Sequence, residues 1–267
     1  LKKTKKKKIC LIHSKEINHE KRTNLNKRVL NVLNNVDVVV SNSKFTKNLA
    51  IKCGVDESKI IVINPGINPI QELNKKSQDK VERLLKQKSP RLITISRYDK
   101  RKNHEKVIMA LRNLKQIYPS IVYICVGKGD EEENIKKIVK ELDLEEQVMF
   151  FKDISNELKN SLLSKSDIFV MPSIIYKKSV EGFGISYIEA AQYGVPSIGG
   201  ADGGAADAID DKKTGLICDG NNLDAIYSSI SSMLENNKYL EYGKAAKENS
   251  NRFKWYKIIE EYKKILA

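Results

Sequence analysis

The sequence is poor in the features that mark membrane-spanning, secreted or metal-bound proteins. None of its apolar runs approaches the roughly 18 to 20 residues that a helix needs to cross a bilayer, and its N-terminus lacks an apolar signal stretch. The four cysteines are far apart and match no metal-ligand spacing: Cys10, Cys53, Cys125 and Cys218. These absences predict a cytoplasmic chain with reduced thiols and no bound metal.

Acidic residues and arginine are both scarce relative to lysine. The 267 residues include 48 basic and 34 acidic ones, which gives a formal net charge of +14, and only eight of the basic residues are arginine. Clustered cations would favour nucleic-acid binding, because they neutralise phosphates. Here the lysines are scattered among acids, as in "EEENIKKIVKELDLEE", without interleaved aromatic residues. We therefore expect no nucleic-acid partner, and a basic nucleic-acid-binding protein is the weaker alternative.

The first eight residues, "LKKTKKKK", are the exception, because six of them are lysines. Such a dense cationic patch fits an anionic membrane surface or a disordered chain end equally well. A peripheral contact with the inner face of a membrane therefore remains one of two interpretations of this run.

Strands and helices alternate from the first readable element. The β-branched runs "ICLIH", "VDVVVSNS" and "KIIVINPG" are separated by a polar helical stretch near residues 16–35 and by "KFTKNLAIKCG", which ends at Gly54. We predict that residues 1–68 are the end of a first domain and that 69–90 form a connector with one helix. Residues 91–267 then form a second domain, whose last helix could cross back to the first.

The second domain repeats the alternation more cleanly. Short apolar runs such as "RLITISR", "VYICVGKGD" and "DIFVMPS" alternate with amphipathic stretches of helical length. This pattern predicts parallel βαβ units and a doubly wound, Rossmann-like α/β sheet. Ligands of such sheets collect outside the carboxyl ends of the strands, so the loops that follow these runs are the candidate site.

Two of these loops carry residues suited to a nucleotide sugar. "SRYDKRKNHE" offers Arg97 and Lys102 just before a helix, an arrangement that suits a diphosphate, although a lysine-rich surface loop has the same composition. In "EGFGISYIEAAQYGVPSIGG", glycines make Glu181 a loop residue and leave Glu189 in the following helix. The two carboxylates could hold hydroxyls of a sugar and a ribose in one cleft, whereas Glu189 could instead cap the helix or pair with a lysine.

The last of these stretches resembles the E-x7-E signature of retaining glycosyltransferases with the GT-B fold, in particular the large group 4 family (glycosyl transferases group 1) and its mannosyltransferase-like members. "ISRYDKRKNHEKVIMAL" is similar to the donor-phosphate loop of that family, and "VDVVVSNSKFTKNLAIKCGVDESKIIVINPGINP" looks like the end of its first domain. The resemblance runs from about Ile9 to the end of the chain.

The resemblance implies a role for each matching residue. Arg97 and Lys102 would hold the donor diphosphate, and Glu189 the ribose hydroxyls. The transferred sugar would contact Glu181 and the backbone amides of Gly182, Phe183, Gly184 and Ile185. The loop around Lys152 and Asp153 would lie against the nucleobase. "IHSKE" is similar to the "HGxE" strand end of the family, which makes His13 a candidate to reach the sugar, with Ser14 in place of the usual glycine.

The implied reaction is a metal-independent, cofactor-free transfer of a hexose from GDP-mannose or a UDP-sugar to a lipid, polysaccharide or glycan acceptor. We favour front-face attack with retention, because no second acid for a double displacement stands out and the two cations can stabilise the leaving phosphate. A nucleotide-sugar-binding module without turnover, or an epimerase of the same fold, is the alternative.

The first half of the GT-B fold is represented only by its last elements, so we expect an N-terminally incomplete enzyme. The donor-side residues all follow the connector, whereas the acceptor side lacks its other strands. The sequence therefore predicts that the chain binds a nucleotide sugar, transfers it to no acceptor, and self-associates through exposed strand edges in its N-terminal part.

Overall fold

The computed structural model describes residues 6–19 and 23–266. Most of the lysine-rich run, residues 1–5, lies outside this range, so its predicted membrane contact does too. The strands are β1 (Ile9–Ile12), β2 (Val38–Ser41), β3 (Ile60–Val62), β4 (Arg91–Ile95), β5 (Val122–Val126), β6 (Val148–Phe151), β7 (Ile168–Met171), β8 (Ser197–Gly200) and β9 (Gly215–Cys218). The helices are α1 (Asn24–Asn34), α2 (Lys44–Cys53), α3 (Lys75–Leu84), α4 (His104–Ile117), α5 (Glu132–Glu141), α6 (Asn156–Ser164), α7 (Ile185–Gln192), α8 (Ala205–Ala208), α9 (Leu223–Leu234), α10 (Lys238–Ser250) and α11 (Trp255–Leu266).

The strands form two parallel sheets. The smaller has the order β1-β2-β3, and the larger has the order β6-β5-β4-β7-β8-β9. In the larger sheet the order reverses beside β4, because β5 and β7 both pair with it. Two buried apolar clusters involve the larger sheet, one including Leu111 and Ile230 and the other including Leu162 and Ile188. This is the doubly wound, Rossmann-like architecture that the alternating pattern predicted.

Local sequence signals account for most element ends. The side chain of Ser43 accepts a hydrogen bond from the amide of Thr46 at the start of α2, and Gly54 ends that helix with a φ of 101°. One predicted boundary is wrong: α1 begins at Asn24, not near residue 16. The carbonyl of Ser14 instead accepts hydrogen bonds from the amides of Ile17 and Asn18, which forms a tight turn before the helix.

The connector helix packs on the larger sheet. Val81 and Leu85 are fully buried in the apolar cluster that also contains Leu162 and Leu163 of α6. The predicted single helix between residues 69 and 90 is therefore present, and its apolar face packs against α6 in a cluster shared with the larger sheet.

The last helix packs against the smaller sheet. Ile258 and Ile265 of α11 are buried against Val38, Val40 and Ile63. The chain passes between the two halves at adjacent points, since the amide of Ile67 donates to the carbonyl of Phe253 at 2.9 Å. The second half of the sequence thus supplies part of the core of the first.

This packing predicts that truncating α11 destabilises the fold. Ile258→Ala should lower the free energy of unfolding by about 2 to 5 kcal/mol, because it leaves a cavity between α11 and β2. Ile259→Ala is the matched control, since Ile259 on the same helix is 47% exposed. Urea denaturation of both variants measures the difference, and equal losses would place Ile258 outside the core.

Within the part of the chain that the structure describes, no helix combines the length and apolarity needed to cross a bilayer. None of the four cysteines, all of which the structure describes, is in a disulfide bond, and two of them, Cys125 and Cys218, are buried in the larger sheet.

Candidate active site

A cavity of about 720 Å³ lies between the two sheets. Its walls come from the turn after β1, the end of β2, the loop after β4 and residues 178–186. Because the strands are parallel, these loops all follow carboxyl ends, which is where ligands of doubly wound sheets bind. The cavity brings together His13, Arg97, Lys102 and Glu181, which the sequence predicted as site residues.

A buried cluster of charges forms one wall of this cavity. Nη1 of Arg101 lies 2.7 Å from Oε2 of Glu181, and Nζ of Lys102 donates to the same oxygen. The side chain of Arg101 is only 9% exposed, that of Lys102 is 11% exposed and that of Glu181 is 13% exposed. Buried charges require such partners. The sequence analysis missed Arg101, although it lies in the same cationic loop as Lys102.

The loop after β4 is held rigidly. A carboxylate oxygen of Asp99 accepts from the amide of Lys102, and Asn103 adopts a left-handed φ of 63°. The side chain of Asn103 donates to the carbonyls of Pro172 and Gly220, which ties the loop to its neighbours. Burial lowers the pKa of His104 to about 3, so this first residue of α4 is a neutral scaffold residue.

The cluster fixes the charge of Glu181. Burial alone would raise the pKa of its carboxyl, but Lys102 and Arg101 outweigh burial and lower that pKa below its ordinary value. Burial lowers the pKa of Lys102, and the attraction of Glu181 opposes part of that shift. The cavity therefore presents an ionised carboxylate between two cations.

The lowered pKa of Glu181 predicts acid-sensitive stability. The ionised form stabilises the fold above the unfolded pKa of about 4.3, and this contribution is lost as the pH falls through the lower folded pKa. The difference in free energy of unfolding between the wild type and Glu181→Gln should therefore be constant above about pH 5 and shrink below about pH 4.3. Glu133→Gln is the exposed control, since that side chain is 88% exposed. Urea denaturation from pH 7 to 3 measures it, and a pH-independent difference would contradict the lowered pKa.

The N-terminus of α7 faces the same space. Ile185 and Ser186 line the cavity, and Gly184 precedes them with φ 93°. The first amides of a helix have no partner within it, and the helix dipole adds positive potential there. Together with Lys102, this wall suits an anion.

The two halves touch at Gly182. A methyl group at this position would lie 2.7 Å from the carbonyl oxygen of His13, so only glycine allows this approach. Ser14 has φ 82°, a left-handed backbone value that glycine adopts more readily than serine does. His13 is exposed at the cavity wall.

The remaining predicted residues lie farther from the cluster. Arg97 lines the cavity with a 76% exposed side chain and pairs with Asp99 at 3.2 Å. Glu189 lines a second, smaller cavity of about 110 Å³ and lies 3.7 Å from Lys159, which is the lysine pairing that the sequence left open.

Lys152 and Asp153 line neither of these two cavities. Lys152 pairs with Glu132 at 3.1 Å, and Asp153 pairs with Lys128 at 2.6 Å. Both of these predicted nucleobase contacts follow β6 at the carboxyl edge of the larger sheet.

Comparison with known families assigns both halves of the chain. Residues 75–251 match the family model "Glycosyl transferases group 1", and residues 1–71 match "Glycosyltransferase Family 4". The chain belongs to the group 1 glycosyl transferases. The first match covers the loop that carries Arg97 and Lys102 and the whole E-x7-E stretch, so the resemblance expected from the sequence is confirmed.

Individual relatives carry names that describe different reactions. The chain is 33% identical over 147 residues to the GDP-mannose-dependent alpha-(1-6)-phosphatidylinositol monomannoside mannosyltransferase of Mycolicibacterium smegmatis, which covers 54% of this chain and 38% of that enzyme. It is 26% identical over 263 residues to the N-acetyl-alpha-D-glucosaminyl L-malate synthase of Bacillus anthracis, over 89% of this chain and 67% of that enzyme. The chain thus spans less than half the length of the mannosyltransferase.

Solved structures establish the GT-B fold. Anabaena HepE in complex with UDP and glucose superposes with a TM-score of 0.81 at 19% identity, over 97% of this chain and 70% of that one. Sucrose-phosphate synthase from Thermosynechococcus elongatus gives a TM-score of 0.80 at 22% identity, over 96% and 66%. The predicted fold is therefore confirmed for the group 1 chain described here.

Proposed function

We propose that this chain forms the donor site of a retaining, metal-independent glycosyltransferase that moves a hexose from a nucleotide sugar to a lipid, polysaccharide or glycan acceptor. The observation that carries the proposal is ionised Glu181, held between Arg101 and Lys102 beside the N-terminus of α7 in the cavity between the sheets. This wall offers a carboxylate for sugar hydroxyls and positive charge for phosphates within one space.

The donor diphosphate would bind against the α7 amides, Lys102 and Arg97. A phosphate oxygen can take over the hydrogen bond that Lys102 now gives to Glu181, while Arg101 continues to hold that carboxylate. The freed lone pairs of Glu181 then accept hydrogen bonds from hydroxyls of the transferred sugar. Arg97 would exchange its exposed pairing with Asp99 for the phosphate.

Retention follows from attack on the face from which the nucleotide leaves. A hydroxyl oxygen of the acceptor bonds to the anomeric carbon as the bond from that carbon to the diphosphate oxygen breaks. The hydroxyl proton passes to the departing phosphate, whose charge Lys102 and Arg97 stabilise. The exposed imidazole of His13 would contact the sugar from the smaller-sheet side.

The nucleoside would extend along α7 from the large cavity toward the small one. Glu189 lies one helical turn beyond Ile185, so its carboxylate would accept hydrogen bonds from the ribose after leaving Lys159. The base would then reach the loop of Lys152 and Asp153. A GDP or a UDP sugar suits this path, since the related mannosyltransferase is GDP-mannose-dependent and HepE was solved with UDP.

Calorimetric titration of the full chain with GDP-mannose, UDP-glucose and UDP-N-acetylglucosamine tests the proposal. At least one should bind more tightly than its free nucleoside, and Glu181→Gln should affect the sugar nucleotide more than the nucleoside diphosphate. A parallel assay of sugar transfer tests the prediction that this chain binds the donor but does not transfer the sugar. Binding without transfer would favour the alternative of a nucleotide-sugar-binding module. No binding of any of the three would contradict the donor site.

A further inference from the structure

The smaller-sheet side of the large cavity carries positive charge that lies apart from the proposed diphosphate site. The cavity-lining side chains of the turn after β1 are His13, Ser14, Lys15, Asn18 and His19. They comprise a permanent cation, two imidazoles, a hydroxyl and an amide. All five come from the smaller-sheet half, whereas the proposed phosphate contacts come from the larger-sheet half.

Carboxylates are turned away from this wall or already neutralised. Glu16, in the same turn, accepts a hydrogen bond from the backbone amide of His13 at 2.9 Å and does not line the cavity. Among the described residues that do line it, Glu181 is the single carboxylate, and two cations hold it. Within residues 6–19 and 23–266, no carboxylate forms an ion pair with Lys15. The described side chains that line this side of the cavity therefore favour an anion over a cation.

The turn that carries Lys15 is rigid. Ile17 is only 1% exposed in the core of the smaller sheet, and the carbonyl of Ser14 accepts two backbone hydrogen bonds within the turn. The side chain of Asn18 donates to the carbonyl of Lys178 at 2.6 Å, which joins the turn to the segment that leads into Glu181. These contacts hold the backbone of Lys15 at the wall of the cavity.

Resting on the proposed function, we infer that the acceptor is a hydroxylated molecule with an anionic group, such as a phosphate, which Lys15 binds on the smaller-sheet side of the cavity. The anion orients the acceptor so that a neighbouring hydroxyl faces the sugar held by Glu181. The source of the phosphate is either a small soluble molecule or a lipid headgroup, and both present the same chemistry to Lys15.

Phosphorus NMR on the full chain, saturated with UDP or GDP, tests this site with glycerol 3-phosphate as the probe and glycerol as the uncharged control. The phosphorus signal of glycerol 3-phosphate should broaden when the chain is added. Glycerol, which is measured by proton saturation transfer, should not bind. Lys15→Gln should raise the apparent Kd of the phosphate about tenfold, the scale of one lost charged hydrogen bond, whereas Lys15→Arg should retain binding. Lys52→Gln, at an exposed lysine of the same half, should change nothing.

The same spectra separate this inference from the donor site. If the nucleotide binds but Lys15→Gln leaves the Kd of glycerol 3-phosphate unchanged, the anion site is wrong and the donor proposal stands. The same conclusion follows if the nucleotide displaces glycerol 3-phosphate. If the phosphorus signals of UDP and GDP do not broaden, the donor proposal is contradicted instead. Cosedimentation with phosphatidylglycerol and phosphatidylcholine vesicles identifies the source. If Lys15→Gln lowers binding to the anionic vesicles and Lys52→Gln does not, the phosphate belongs to a lipid headgroup. If Lys15→Gln leaves vesicle binding unchanged, the phosphate belongs to a soluble molecule.

Discussion

Lys102→Ala should weaken the binding of UDP or GDP by roughly 1.5 to 3 kcal/mol, about ten- to hundredfold, and leave the binding of uridine or guanosine unchanged. The side chain is only 11% exposed and its ammonium group lies at the proposed phosphate position beside α7. A charge-assisted hydrogen bond to a phosphate is lost in the variant, and no other part of the nucleotide is touched. Calorimetric titration with each nucleotide and its nucleoside measures the effect.

Lys100→Ala is the matched control, because Lys100 lies in the same short turn and is exposed. It should leave nucleotide binding within about twofold of the wild type, as expected for a surface charge. Arg97→Ala should act in the same direction as Lys102→Ala but less strongly, since its side chain is 76% exposed. Equal losses for nucleotide and nucleoside would move both cations out of the phosphate site.

Gly184→Ala should both destabilise the fold and abolish measurable binding of the nucleoside diphosphate. The residue has φ 93°, and a methyl group there would lie 2.3 Å from the ring of Tyr187. That ring is 1% exposed and its hydroxyl donates to the carbonyl of Met171 at 2.7 Å, so it cannot move aside. Left-handed backbone costs about 1 to 2 kcal/mol for alanine, and overpacking adds about 1 to 3 kcal/mol. The start of α7 must shift, and its amides leave the phosphate.

Gly54→Ala separates the two costs. Gly54 ends α2 with φ 101° and has no atom within 4 Å of the added methyl group, so it carries the backbone cost alone. Urea denaturation should show the larger loss for Gly184→Ala, and calorimetry should show unchanged nucleotide binding for Gly54→Ala. Equal stability losses, or retained nucleotide binding in Gly184→Ala, would contradict the role of this helix start.

Much of the fold and part of the site follow from local patterns. Apolar runs of strand length alternate with amphipathic stretches, and this pattern predicted the two parallel sheets. Strands of parallel sheets are buried on both faces, so their sequences are continuously apolar. The glycines before Ile185 placed the start of α7, and the loops after the strands met at one edge because parallel strands share a direction. These features depend on neighbours in the sequence, so the sequence alone determined them.

Only the tertiary structure decided which charges meet and which residues share a cavity. Arg101 bonds to Glu181 across 80 residues of sequence, and no local pattern distinguishes it from the exposed Lys100 beside it. Glu189 lies one helical turn from the large cavity yet pairs with Lys159 of α6 and lines a different space. The turn of Ser14 replaced the expected first part of α1, and α11 closed over the first sheet from the end of the chain. Each of these outcomes depends on contacts between distant segments, and such contacts leave no periodic signal in the sequence.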